Sequence, residues 1–373
     1  MNTLGQLKLK LLHRGIAFAK NVRSDDRVAP GLFPDNDGQA LVLSLAENFF
    51  VRARVNPDKD AAYLINIEKD KVVLATETGP LEIGVIPAPG FLKERQAARN
   101  PASAFIQLNG YCLNLHLSLE TDTRQLNLSL EDTLHLVRAA FQEGVADLVQ
   151  LNMEHCVEKD RGFSRLAPLV QSIKKNFRTF VALRGFPPDD LGVIDSFYAA
   201  GVDLITFPLE QYAADGGLQP ALPAKQGAKA LEYAAGVFGA GTVSTELALD
   251  FKHPQPLQEK IIALSKQGIL PLIQIPERGL HLPDELQEVR RVADHLHKTT
   301  HKEKLNLKWL YPAGGWISPL DANFYTDPAD TAKLAQRPVY QSTLGKTASE
   351  GFAALRRKLR IKNVSDSYES AGL

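Results

Sequence analysis

Side chains able to do acid–base or metal chemistry recur just at or beyond short apolar runs of this sequence. His116 and Glu120 close the run YCLNLHL, and Glu154, His155 and Cys156 follow DLVQLN. Arg184 ends TFVALR, Glu210 follows DLITFPL, Glu246 and Asp250 lie in TVSTELALD with His253 just after, and Gln274 sits in LPLIQI. Carboxylates and imidazoles in such places serve as general acids and bases when neighbours tune them. Imidazole, thiolate and carboxylate also bind Zn²⁺, so His116 and Glu210 with Glu154 or Cys156 form a candidate metal set. Glu154, His155 and Cys156 cannot all join it, because adjacent residues at a strand end point to different sides. No nucleophile–base pair and no HxH metal motif marks any of these ends.

Each candidate also has a structural reading. His116 on an alternating strand serves equally as a hydrogen-bonded rim residue. Glu210 and Glu246, if interior, need a cation, and Arg184 is the obvious partner for a pairing that is structural or ligand-binding. His295, His297 and His301 fall in a lysine-containing amphipathic stretch and read as a solvated face. The glycine-rich GVFGAG (Gly236–Gly241) follows a helix and precedes a strand, the reverse of a phosphate-cradling loop, and reads as a helix stop. Trp309 and Trp316, the two tryptophans of the chain, flank a Pro/Gly segment that suits a lid, an interface or a plug in an incomplete barrel.

The elements that must position these side chains are legible from punctuation. Short apolar strands are predicted at Tyr111–Leu117, Asp147–Asn152, Thr179–Arg184, Asp203–Leu209, Thr242–Asp250 and Leu270–Ile275. Most follow an amphipathic helix closed by glycine, as in FQEGVADLV, FYAAGVDLI and SKQGILPLI. That is the pattern of helix C-caps feeding buried parallel strands. Ser129 is an N-cap signature for a helix to Glu143, and Leu257–Gln267 and Leu286–His297 repeat the amphipathic period. The fold class expected is α/β, a partial β/α barrel of aldolase-like TIM type with six strands. Leu305–Pro312 is a candidate seventh strand or a cover.

Residues 1–105 have another texture: an amphipathic helix, a polar loop, then ALVLSLA, FFVRARVN, AAYLINIEK, KVVLAT and PLEIGVIP, separated by turn signals at hairpin distances. This predicts a small β-rich domain, joined to the barrel by a strandless linker at Pro87–Ser103. The barrel spans 106–300, and 301–373 form a C-terminal cover or lid with a polar tail.

The 373 residues balance 43 basic against 43 acidic side chains, which points away from nucleic acid and anionic membranes as partners. No run reaches the length of a membrane span. Lysines interrupt the first helix and no cleavage site follows, so it does not read as a signal. Two cysteines, Cys112 and Cys156, make no disulfide scaffold and suggest a cytoplasmic location.

In their order, several phrases resemble the radical S-adenosylmethionine (SAM) superfamily, specifically a biotin-synthase-like group often encoded near nitrilases. They run from HRGI and RVAPG through RVNPDKDAAYL, IGVIPAPGF and IQLNGYCLNLHLS to LRGFPPDD, AAGVDLITFPLEQY, YAAGVFGAGTVSTELALDF and KQGILPLIQIPERG. The resemblance implies a radical SAM-type barrel. It also implies ligand contacts at Asn152–Glu154 and Glu210, where the family holds SAM, although Asn152-Met153-Glu154 departs from the family's glycine-rich form. Family members hold a [4Fe–4S] cluster through a CxxxCxxC loop after the first strand. Here that motif is missing, so no [4Fe–4S] cofactor is expected and SAM binding loses its main anchor. The expectation is a degenerate member, a pseudoenzyme: a non-catalytic partner subunit of an intact radical SAM enzyme or another protein, or a binder of a small molecule in the barrel through His116, Glu154, Arg184, Glu210 and Glu246. The alternative is a cluster-independent lyase- or aldolase-type enzyme, with or without a divalent metal at His116, Cys156 and Glu210.

Overall fold

The computed structural model describes residues 3–35, 38–56, 58, 63–97, 105–120, 125–212, 218–221, 224–251, 254–276, 280, 283–311 and 316–338. Helix α1 (Leu4–Arg14) begins at a capping box, in which the Thr3 hydroxyl accepts from Gln6 N and the Gln6 side chain accepts from Thr3 N. Strands β1 (Ile16–Phe18), β2 (Phe33–Asp35), β3 (Gly38–Ala46), β4 (Phe49–Arg54), β5 (Tyr63–Glu68), β6 (Lys71–Thr76), β7 (Gly79–Glu82) and β8 (Gly84–Ile86) follow. They form two small sheets, β1-β5-β6-β7 and β2-β3-β4 with β8 added on β3. All their pairings are antiparallel except β1 with β5.

The predicted linker contains a helix, α2 (Gly90–Ala97). Its first amides, Gly90 N and Phe91 N, donate to the two oxygens of Glu143 at 2.8 and 2.9 Å. A carboxylate at a helix N-terminus satisfies orphan donors and opposes the helix dipole. That cap comes from 53 residues away in the chain, so no local signal announces it.

Next come β9 (Ile106–Asn109), β10 (Cys112–Leu117), α3 (Leu130–Gln142), β11 (Leu148–Met153), α4 (Phe163–Asn176), β12 (Phe180–Arg184), α5 (Val193–Ala200), β13 (Leu204–Thr206), β14 (Glu210–Tyr212), β15 (Leu218–Pro220), α6 (Ala224–Phe238), β16 (Val243–Ala248), α7 (Pro254–Lys266), β17 (Leu270–Gln274), α8 (Pro283–Lys302), β18 (Trp316–Ile317) and α9 (Asn323–Thr326). The main sheet runs β9-β10-β11-β12-β13-β16-β17-β18. Its six inner strands are mutually parallel and ordered as in the chain, while β9 and β18 pair antiparallel at the edges. Parallel neighbours joined by helical crossovers are the β/α-barrel arrangement, here left open. The sheet is curled: Leu148 on β11 and Leu272 on β17 line one cavity, although four strand spacings would separate them by roughly 19 Å on a flat sheet.

The six predicted strands stand at their expected places, with β13 shorter than read. The stop at Gly201 has φ 109°, and a Cβ there would lie 2.6 Å from Lys174 Cγ, so both backbone and packing demand glycine. Leu305–Leu310 is not a strand. Leu305, Leu307 and Leu310 pack instead against Leu270, Leu272 and Leu320, covering the sheet rather than extending it. The expected polar tail at 360–373 lies outside the described residues.

One apolar core runs through the β-rich sheets, the barrel helices and the C-terminal segment, from Leu4 to Tyr325. Helix α1 packs on β3, β4 and α9. Gly5 permits the last contact, because a Cβ there would collide with the Tyr325 ring. No described helix is long and apolar enough to cross a membrane.

Candidate functional site

Alternation along the barrel strands sends one set of side chains to the helices and the other into the concavity. Leu113, Leu115 and Leu117, Val149 and Leu151, Val181 and Leu183, Ile205, Val243 and Leu247, and Ile273 join the helix-side core. The concave set begins apolar, with Cys112, Leu148 and Ala182 packed together. Toward the C-terminal ends it turns polar. Register aligns His116, Asn152, Arg184, Thr206 and Ser244 in one row across five strands.

Charge inside this layer is neutralised by its own members. Arg184 Nε and Nη2 donate to Glu246 Oε1 and Oε2 at 2.5 and 2.7 Å, and Gln274 Nε2 donates to Oε2 at 2.6 Å. Glu246 is fully buried, so this bidentate fork and third donor are what make its burial tolerable. Burial is the largest single influence and works against the Arg184 charge, but the hydrogen bonds to Glu246 and the attraction of its charge together raise the Arg184 pKa. Around the pair lie uncharged groups: Gln150 donates to Asn152 at 2.7 Å, Asn152 to Asn114 at 3.4 Å, and the Thr206 and Ser244 hydroxyls share a hydrogen bond of 2.6 Å.

His116 is half-buried, and its Nε2 is shut from solvent with no hydrogen-bond partner among the described residues. Burial first and the Arg184 charge second lower its pKa, against an opposing pull from Glu154. Its backbone oxygen accepts from Asn127, whose side-chain oxygen also receives Ser118 N, which pins the chain where it leaves β10. A histidine whose folded pKa lies below its unfolded value, about 6.5, binds fewer protons folded than unfolded between the two. It therefore contributes full stability above the unfolded value, and that contribution is lost as pH falls through the folded one. The expected result is an imidazole resonance titrating below about 6.5, and a wild-type stability that falls more steeply on acidification than that of His116→Gln. An unchanged pH slope in unfolding of the variant would remove His116 from this role.

The remaining candidates do not converge. Glu154 and His155 are exposed beyond β11, and His155 stacks edge-on to Phe186 at 5.1 Å. Cys156 sits in a turn braced by Arg161, which donates to the Cys156 oxygen at 3.0 Å and pairs with Asp189 at 2.5 Å. Glu210 is not the interior partner of Arg184. It stands on β14, in a hairpin with β15, accepts from Ala248 N at 3.2 Å and pairs with Lys260 of α7. Among the described residues no three His, Cys, Asp or Glu side chains come together as a metal site. His116, Cys156 and Glu210 are thus held apart, because Glu210 belongs to the outer hairpin and Cys156 to the loop. Asp250 lies just past β16, and His253 is outside the described residues.

The concavity is largely filled by the chain itself. Trp309, Leu310, Tyr311, Trp316, Ser318 and Asp321 line it opposite Gln150, Arg184 and Glu246, around a cavity of about 70 Å³. Trp309 meets Phe180 edge-on at 5.1 Å, the Tyr311 hydroxyl accepts Tyr111 N at 2.5 Å, and Trp316 pairs with Gln274 in the β17–β18 ladder. The described residues of the tryptophan segment, Trp309–Tyr311 and Trp316, therefore act as a plug. Asn114, Gln150, Thr206, Ser244, Ser318 and Asp321 were not picked out from sequence. For several of them the signal was present: polar residues two apart within apolar strands, as in Asn114/His116, Gln150/Asn152 and Ser244/Glu246.

No protein-family model matches the chain, and no curated protein matches it. Among solved structures it is similar to 7,8-dihydropteroate synthase from Vibrio fischeri ES114, at 10% identity and a TM-score of 0.27, covering 51% of this chain and 89% of that one. It is also similar to a dihydropteroate synthase from Coxiella burnetii in complex with pteroic acid, at 10% identity and a TM-score of 0.28, covering 53% and 91%. Likenesses this weak carry no functional argument, and the barrel assignment rests on strand order and direction.

Proposed function

We propose that this protein is a radical SAM-like barrel without the cluster thiolates, acting as a non-catalytic partner subunit. The observation that carries this reading is the filled concavity. The Arg184–Glu246 pair is closed on itself, aromatic side chains of the same chain lie over it, and the cavity beside it measures about 70 Å³, space on the scale of a few water molecules. The cysteines support it too. Two thiols cannot supply the three of the family motif. Cys112 lies at the N-terminal end of β10 and Cys156 beyond the C-terminal end of β11, so the length of a strand separates them. Burial pushes the Cys112 thiol up to about 12, against a smaller opposing effect of its Asn114 hydrogen bond, which keeps it a neutral thiol and a poor ligand.

The rival reading, a cluster-independent lyase- or aldolase-type enzyme, has one observation in its favour: the His116 imidazole, with its buried unpartnered Nε2 beside the Arg184 charge. A neutral imidazole at a barrel's C-terminal end is a serviceable general base.

Anaerobic reconstitution of the full chain with iron and sulfide is expected to leave it without a stoichiometric cluster, and calorimetry with SAM to show no binding. Affinity purification from the native cell is expected to bring down an intact radical SAM enzyme. A full complement of iron and sulfide that disappears on changing Cys112 or Cys156 to serine would overturn the proposal. One equivalent of bound Zn²⁺ or Fe²⁺, lost in His116→Ala or Glu210→Ala, would transfer support to the enzyme reading.

A further inference from the structure

The roomiest cavity described is not in the barrel mouth but at the opposite end, between the β-rich sheet and the barrel's edge strand. It encloses about 460 Å³, within the range of roughly 300–1,000 Å³ usual for small-molecule sites. One wall is a row across three strands, Arg52 on β4, Val42 on β3 and Ile86 on β8, set side by side by register. The other is Ile106 and Leu108 of β9 with Val145 after α3. The aliphatic side chains of both walls make most of the interior apolar, with Arg52, Gln107, Tyr111 and Glu143 as its polar members.

Two charged side chains line it, Glu143 and Arg52. Both Glu143 oxygens accept from the amides that open α2, at 2.8 and 2.9 Å, so that carboxylate is committed to capping. Arg52 has its guanidinium carbon 4.9 Å from the Phe33 ring centroid, at the cavity wall. A guanidinium has five donors in a planar fork, enough to receive a ligand carboxylate in addition to its protein contacts. With the Glu143 carboxylate turned to the α2 amides, the cavity offers a ligand aliphatic walls and one cationic donor group, which suits a molecule with a hydrocarbon body and a single anionic head.

We infer that this groove binds an amphipathic monocarboxylate of the fatty-acid class, its chain between Val42, Ile86, Ile106 and Leu108 and its head on Arg52. The inference does not rest on the subunit reading, since groove and barrel interior are separate spaces with no shared lining residue except through the Tyr111–Tyr311 contact.

The test uses the full chain and two probes, decanoate and decan-1-ol, followed by isothermal titration calorimetry. Wild type is expected to bind both, decanoate more tightly. Arg52→Met, which keeps an apolar stem over Phe33, is expected to weaken decanoate about tenfold or more, the loss of a charge-assisted hydrogen bond, and to leave decan-1-ol unchanged. Ala88→Trp, which fills the groove from its rim, is expected to abolish both. Thermal unfolding confirms that each variant is folded, and Val145→Phe replaces Ala88→Trp if that one is not. Equal decanoate affinity in wild type and Arg52→Met would overturn the assignment of the head group. Failure of wild type to bind either probe, or a wild-type dimer that Ala88→Trp converts to monomer, would overturn the ligand site altogether, the latter by giving the groove to a second copy of the chain.

Discussion

Glu246→Leu is expected to lower stability by about 3–5 kcal/mol, the usual loss when one member of a buried ion pair is removed. The leucine fits the fully buried position, but it leaves the Arg184 fork and the Gln274 amide without the acceptor that both now share. The penalty comes from the stranded cation, not from the missing carboxylate as such. The double variant Arg184→Met, Glu246→Leu should therefore recover most of the loss, because two apolar groups meet with nothing left unpaired. Gln274→Leu should cost only about 1–2 kcal/mol, since Glu246 keeps its bidentate partner. Urea unfolding of the three variants measures this directly. A Glu246→Leu protein within about 0.5 kcal/mol of wild type, the range of an ordinary surface change, would mean that the pair is not what holds the polar layer together.

The second large effect lies where helix α1 meets the segment from Ser318 to Tyr325. Lys8 of α1 is buried, with its ammonium 4.8 Å from the Phe49 ring centroid. Asp321 is also buried and accepts from Ser318 N and Oγ at 2.7 and 2.8 Å. Phe49 stacks on Phe324 at 4.2 Å and meets Tyr325 edge-on at 5.9 Å, so the two charges sit in an aromatic surround. Burial lowers the Lys8 pKa and raises that of Asp321, and in each case the other's charge opposes the shift. Lys8→Met removes the cation from this balance and is expected to cost about 3 kcal/mol near neutral pH. The pH dependence separates this from a packing defect. Asp321 has a folded pKa above its unfolded value, so the folded protein binds more protons in the window between them, and stability falls as pH rises through it. Without Lys8 that window widens upward, so the deficit of Lys8→Met should shrink on acidification toward the ordinary carboxylate range of about 3.9. Addition of Asp321→Asn should remove the pH dependence. A deficit that is the same at acidic and neutral pH would sink the electrostatic account of this contact.

Much of the barrel was legible because its signals are local. A buried parallel strand needs a short apolar run, the preceding helix needs an amphipathic period, and the turn between them needs a residue tolerant of positive φ such as Gly201 or Gly268. All three fit within a few residues of one another. The Arg184–Glu246 pair was legible for a related reason: once both strands are placed, a carboxylate facing the concavity must find the cation facing the same space.

What the tertiary structure decided are the partners that no local rule names. Glu210 pairs with Lys260, 50 residues on, because the chain leaves β13 for a hairpin that carries the carboxylate out to α7. A linker became helix α2 because Glu143 arrives to cap it. Lys8, one of the two lysines of the amphipathic first helix, is buried because α9, more than 300 residues on, folds back over it. Trp309–Tyr311 and Trp316, as readily part of a lid from composition, line the concavity because the sheet stays open and curled between β10 and β17. Periodicity and turn chemistry encode which face of an element is apolar, whereas burial of a charge depends on which distant element covers it. That covering is a property of the packed whole, set by the global balance of apolar burial against desolvation.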